Sequence, residues 1–142
     1  MNSSELSTSV RMAVSALHKR LRKQMNTANS FSMTEIDTIR HLYRKKSLLP
    51  SELAALTRIT TQSMSQILNK MEQRELIVRT PSEKDKRKVY ISLSEKGMEH
   101  VKQTRYEKEE WLKGAIEQSL SKEEMHLLEK ALPVLRKLAE SE

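Results

Sequence analysis

The segment from Leu76 to Gly97, LIVRTPSEKDKRKVYISLSEKG, constrains the fold more than any other part of the chain. Leu76-Ile77-Val78 is a short apolar run. Val89, Ile91 and Leu93 then alternate with Tyr90 and Ser92 in the period of two that marks a half-buried strand. Between the runs, Arg79 to Lys88 carries five basic residues (Arg79, Lys84, Lys86, Arg87, Lys88) against two acids (Glu83, Asp85). Two short strands joined through so charged a loop make a hairpin that cannot bury its tip. The tip faces either water or a polyanion.

The residues before this hairpin read as helices. Leu6, Val10, Ala13, Leu17, Leu21 and Met25 recur every three or four positions and predict a first helix over 6–25. Arg11, Lys19, Arg20, Arg22 and Lys23 fill its other faces, as a solvated surface or as phosphate contacts. Phe31-Ser32-Met33-Thr34-Glu35-Ile36 has the form of a capping box with a Phe31/Ile36 staple, which starts a second helix running to about Lys46. Pro50-Ser51-Glu52 opens a short third helix through Leu53, Ala54 and Leu56, with Ser51 as cap or first-turn residue.

Thr57-Arg58-Ile59-Thr60 is a turn-length break before a fourth helix. There Met64, Ile67, Leu68 and Met71 fall at i, i+3, i+4 and i+7 and predict the core face. The opposite face holds Thr61, Gln62, Ser63, Ser65, Gln66, Asn69 and Lys70. Small hydroxyls and amides are indifferent helix formers, but they donate to and accept from base edges and phosphates. A plain polar helix face is the alternative. A short helix, a tight turn and a second helix with a hydrogen-bonding N-terminal half form the helix-turn-helix pattern, and the basic hairpin strengthens that reading.

Composition narrows the function classes. With 142 residues the chain is one domain of ordinary size, and its two glycines and three prolines favour long helices. Lys and Arg outnumber Asp and Glu by 26 to 19, a net charge of +7 that speaks to partners and not to fold. The excess is N-terminal and central: 9 basic against 3 acidic residues over 1–50, but 8 against 9 over 101–142. The absence of cysteine excludes disulfides and thiolate metal sites. No apolar run approaches the ~18 residues that span a bilayer, so no membrane partner is expected and the protein is read as soluble and cytoplasmic. Gly97 and Gly114 form no phosphate-binding loop, and Glu107, Glu109 and Glu110 read as a solvated helix face, so no catalysis and no cofactor are expected. His18, His41, His100 and His126 are the candidate metal ligands, yet no two lie within four residues of each other.

Ser94 is a plausible cap for a long helix reaching about Ser119, and Ser121-Lys122-Glu123-Glu124 is a second capping box. Met125, Leu128, Ala131, Leu132, Leu135, Leu138 and Ala139 form a broad stripe on the last helix, in which Pro133 should bring a kink or a lost hydrogen bond. The two terminal helices, 6–25 and 121–140, carry more apolar surface than a small core needs. That surplus suggests packing between two subunits.

The sequence resembles the MarR family of bacterial and archaeal winged-helix transcription regulators. The likeness runs over nearly the whole chain in element order. Its most specific part is Asp85-Lys86-Arg87 followed by Val89, Leu93, Ser94 and Gly97, similar to that family's wing signature of Asp-x-Arg, an alternating strand and Leu-Thr-x-x-Gly. Ser51-Glu52-Leu53-Ala54 and Arg79 also match. The resemblance implies a mainly α fold with a small β-hairpin wing, divided into an N-terminal dimerisation helix (1–30), a winged helix-turn-helix lobe (31–97) and C-terminal dimerisation helices (98–142). It implies a homodimeric regulator of double-stranded DNA, with the fourth helix in the major groove, Arg87 at the minor groove and Asp85 orienting wing arginines. The expected DNA-binding residues are Ser51, Thr61, Gln62, Ser63, Ser65, Gln66, Lys70, Lys84, Asp85, Lys86, Arg87 and Lys88.

Three positions depart from the family pattern. Glu75 stands where a glycine usually ends the recognition helix, so a positive φ there would cost about 1 kcal/mol. Gln66 replaces an arginine, which moves one contact from phosphate or guanine reading toward adenine reading or no reading, and Lys88 replaces a glycine in the wing. The family also implies release by a small aromatic or amphipathic effector, for which Phe31, Tyr43, Tyr106 and Trp111 are the aromatic candidates if they are not core residues. Metal-responsive control and a winged helix used only for protein binding are the rival readings.

Overall fold

The computed structural model describes residues 1–24 and 31–142. The described elements are α1 (Ser3–Lys23), α2 (Met33–Lys45), α3 (Pro50–Thr57), α4 (Thr61–Gln73), β1 (Ile77–Pro81), β2 (Val89–Leu93), α5 (Glu95–Ser119) and α6 (Lys122–Ala139). The mainly α class with one hairpin is the expected one.

Local chemistry sets most of the boundaries. The helix α1 begins earlier than its apolar stripe, because Asn2 Oδ1 accepts from the Glu5 N–H (2.8 Å) and the Glu5 carboxylate accepts from the Asn2 N–H (3.1 Å). Its expected end at Met25 lies outside the described residues. Ser32 caps α2 by accepting from the Glu35 N–H at 3.1 Å. In α3, Pro50 occupies the first turn and Glu52 Oε1 accepts from the Leu49 N–H at 2.9 Å, so Ser51 is a first-turn residue and not the cap. Arg58 turns left-handed (φ 58°) to end α3. Thr60 then caps α4, accepting from the Ser63 N–H at 3.0 Å.

The end of α4 bears out the concern over Glu75. The Leu76 N–H donates to the Met71 carbonyl and the Glu75 N–H to the Glu72 carbonyl, both at 2.9 Å, which is a Schellman closure. That closure needs a left-handed residue, and Glu75 takes φ 62°. A side chain there costs about 1 kcal/mol relative to glycine.

The hairpin is antiparallel, pairing Ile77 with Leu93, Arg79 with Ile91 and Pro81 with Val89. The first strand therefore continues past Val78 to Pro81, and Arg79 belongs to the sheet instead of the loop. Proline is tolerated because it stands at the last paired position, where a missing N–H breaks little of the ladder. Leu48 adds an isolated bridge on the other side of β2, donating to and accepting from Ile91 at 3.0 and 2.8 Å.

The core lies among α2, α3, α4 and the hairpin. Leu42, Leu53, Met64, Leu68, Met71 and Ile91 are essentially inaccessible to solvent. Thr38 is buried with them and satisfies its hydroxyl by donating to the Thr34 carbonyl at 2.7 Å. Of the predicted core face of α4, Ile67 alone is only partly buried. Ser94 caps α5 by accepting from the Gly97 N–H, and it donates to the Glu75 carbonyl. A Cβ at Gly97 would lie 2.2 Å from the Leu76 carbonyl oxygen, so only glycine allows this approach.

The terminal helices differ from this lobe. Neither α1 nor α6 has a buried residue. Leu6, Val14 and Leu17 of α1 and Leu127, Leu132, Leu135 and Leu138 of α6 are all exposed. Pro133 sits inside α6, which continues uninterrupted from Lys122 to Ala139, so the proline removes a donor without breaking the helix. No helix among the described residues is long and apolar enough to cross a membrane.

Candidate nucleic-acid interface

Successive residues of a helix step by about 100°, which sorts the exposed side of α4. Gln62, Ser65, Gln66 and Asn69 fall on one narrow stripe directly opposite Met64, Leu68 and Met71, and all four are exposed. Thr61, Ser63 and Lys70, also exposed, lie on its flanks. Ser63 is less available than its sequence position suggests, since its hydroxyl accepts from the Thr60 hydroxyl at 2.9 Å within the cap. No acid sits in the first turn of α4, so the positive end of the helix dipole is left uncompensated near the stripe. Ser51 is exposed in the first turn of α3.

The wing tip is a turn stapled by its own side chains. Asp85 Oδ1 accepts from both the backbone N–H and the Nε of Arg87, each at 3.1 Å, while Oδ2 takes a longer bond from Nη2 at 3.4 Å. These side-chain bonds, then the backbone bond, hold the Asp85 carboxyl below the ordinary aspartate pKa. The ion pair leaves 91% of the Arg87 side chain exposed, so Asp85 aims the guanidinium without covering it. Lys84, Lys86 and Lys88 are exposed around it. The Lys88 N–H donates to the Asp85 carbonyl at 2.9 Å and the Ser82 N–H to the Lys88 carbonyl at 2.8 Å, closing the loop.

A side-chain link joins the wing to α4. Arg79 on β1 donates through Nε to Glu72 and through Nη2 to Asn69 Oδ1, the latter at 3.0 Å. The three residues lie on two elements, and only the strand end at Pro81 places Arg79 beside α4.

A second feature is the cleft of about 320 Å³ between α2 and α5. Ile36, Ile39 and Val101 supply apolar lining, and Arg40, Arg44, Arg105 and Lys108 supply four cations, with no carboxylate among the described lining residues. The Arg105 guanidinium lies 4.3 Å from the Tyr43 ring centre and donates to the Tyr43 hydroxyl at 2.9 Å. Burial, followed by repulsion from Arg40 and Arg105, pushes the Lys108 pKa down. Of the four aromatic candidates Tyr43 lines this cleft. Phe31 packs elsewhere against His100 (4.7 Å between ring centres), Tyr106 is 60% exposed, and Trp111 meets Arg20 of α1. The histidines assemble no group of three or more metal-ligating side chains among the described residues.

A short helix, a tight turn, an exposed amide-lined helix and a cationic hairpin define a winged helix-turn-helix protein. Comparison with known proteins carries this further. A sequence profile of the MarR family matches residues 30–88. The HTH-type transcriptional regulator MT0903.1 of Mycobacterium tuberculosis is 27% identical over 135 residues, covering 95% of this chain and 93% of the relative. The crystal structure of a proposed transcriptional regulator from Pseudomonas aeruginosa PA01 aligns with a TM-score of 0.80 at 29% identity, covering 97% of this chain and 95% of that one. NadR, solved in complex with 4-hydroxyphenylacetate, aligns at 0.60 and 29%, covering 96% and 94%. The winged lobe is thus similar to that of the MarR family. The relatives it matches over nearly their whole length are named transcriptional regulators.

Proposed function

We propose that the protein is a homodimeric repressor that binds a pseudo-palindromic site in double-stranded DNA and is released by a small amphipathic effector. One observation carries the DNA mode: an uncharged hydrogen-bonding stripe on α4 is flanked by a wing whose cations are all exposed. Gln62, Ser65 and Gln66 read base edges, Thr61, Ser63, Ser51 and Lys70 hold phosphates, and Lys84, Lys86, Arg87 and Lys88 grip the backbone and minor groove beside them. In this division 31–97 binds DNA, while 1–30 and 98–142 pair the subunits through the apolar faces of α1 and α6. Two recognition helices about 34 Å apart then require half-sites about 10 bp apart.

The effector reading is supported by the α2/α5 cleft, whose apolar floor and excess of cations over acids among its lining suit an organic anion. NadR in complex with 4-hydroxyphenylacetate supports the same chemistry. Occupancy there would change the angle between the lobe and the dimerisation helices, and with it the spacing of the two α4 copies.

The test is a footprint of the purified protein on its own upstream DNA, followed by affinity at several salt concentrations. If the dimer neutralises 6–10 phosphates, affinity falls by about 10³–10⁵ between 50 and 200 mM salt. Arg87→Ala weakens binding by a few kcal/mol at most, roughly the worth of one minor-groove arginine. A flat salt response, or failure to compete against bulk DNA, would favour a protein-binding winged helix.

A further inference from the structure

The fork that Arg79 makes onto α4 fixes more than the angle of the wing. A guanidinium has only donors, so the amide atom of Asn69 facing it at 3.0 Å must be the acceptor Oδ1. The Nδ2 group therefore points away from Arg79, and among the described residues nothing accepts from it. Asn69 belongs to the stripe of Gln62, Ser65 and Gln66, two turns along the helix from Gln62, and is exposed with them. Glu72 accepts from the Nε of the same arginine, so the charge of Arg79 is already opposed within the protomer.

We infer that Asn69 is a specificity-determining residue held by Arg79 as a donor-only reader, selecting guanine over adenine at one position of each half-site. An asparagine reads adenine by accepting from N6–H and donating to N7 together, which needs a free Oδ1. With Oδ1 engaged, the amide offers only donors to the groove. Guanine presents two adjacent acceptors, N7 and O6, whereas adenine would set its own N6 donor against Nδ2. Arg79 is thus a positioning residue that touches no base. Among the described residues nothing opposes the amides of Gln62 and Gln66 in this way, so the donor-only rule is confined to one base pair per half-site.

This inference rests on the proposed docking of α4 in the major groove, and the test separates the two. Duplexes are enriched from a randomised library with the full chain, and the best site is remade with G→A changes at each symmetric position. The wild type loses about five- to tenfold in affinity at one such position, the worth of one hydrogen bond. Asn69→Ala loses that discrimination. Asn69→Asp keeps the link to Arg79 but turns the reader into an acceptor, moving the preference toward cytosine, whose N4 group donates. Arg79→Met frees the amide to rotate, so guanine and adenine bind within about twofold, with the salt slope and the thermal midpoint unchanged. The inference is overturned if Asn69→Ala keeps the guanine preference. It is also overturned if Arg79→Met weakens all duplexes alike and lowers the salt slope by about one, the mark of a lost phosphate contact. Enrichment of no duplex at all would remove the docking of α4 itself, and the inference with it.

Discussion

The winged lobe and the terminal helices are built from similar amounts of leucine, yet they dispose of it differently. In the lobe Leu42, Leu53, Met64, Leu68, Met71 and Ile91 vanish from solvent, whereas Leu132, Leu135 and Leu138 of α6 remain 41%, 41% and 57% exposed. Burial of a leucine contributes about 1.5–3 kcal/mol, so the lobe carries its own stability and the terminal helices have theirs still to gain. The difference supports the proposed division, in which the lobe is stable by itself and the terminal helices pair with a second subunit.

The sharpest way to break that contrast is to charge the terminal face. Leu132→Glu combined with Leu135→Glu removes four apolar side chains from a two-fold interface and should cost on the order of 6 kcal/mol of association. Sedimentation should find monomers whose lobe is still folded; intact dimers would refute the assignment of this face. In the lobe, Leu68→Ala opens a cavity beneath α4 and should lose about 2–5 kcal/mol in denaturant unfolding. A loss near zero would mean that the lobe core is not what holds the recognition helix.

Two smaller effects sharpen the comparison. Glu75→Gly should stabilise the lobe by up to about 1 kcal/mol by relieving the left-handed backbone after α4. A loss of stability would show that the pairing of Glu75 with Lys96, at 3.7 Å, outweighs the strain. The smallest effect is one of pH. Partial burial, then the nearby positive charge of Arg74, pushes the His100 pKa below 6.5, with Glu107 opposing. The unfolded chain then binds more protons than the folded one just below that value, so stability falls as pH drops from about 6.5 toward the folded pKa. His100→Gln should flatten that part of the stability profile, and an unaltered slope would exclude His100 as its source.

Much of this architecture is legible in the residues, because caps and periodicities are local. Ser32, Ser94 and Ser121 cap where their spacing to the following acid or glycine indicates, and the face of α4 follows from four apolar positions. The conformation of Glu75 is legible as a conditional, since a helix closing at that residue needs a positive φ. What escapes is whatever depends on two elements meeting. The bridge of Leu48 to Ile91 has no period to betray it, and Arg79 reads as a loop cation until Pro81 proves to be paired. Tyr106 and Trp111 are aromatic enough to suggest a pocket, but the direction each takes from α5 is a tertiary matter.

The close seat of Gly97 under Leu76 makes the wing root and the first turn of α5 a single rigid block. A helix of 25 residues is about 37 Å long at 1.5 Å per residue, so it works as a lever arm fixed to that block. A sideways shift of about 3 Å at its far end, on the scale of a hydrogen bond, would rotate that block and the hairpin with it by about 5°. A methyl group at position 97 would loosen the fulcrum, and motion at one end of the arm would no longer be felt at the other.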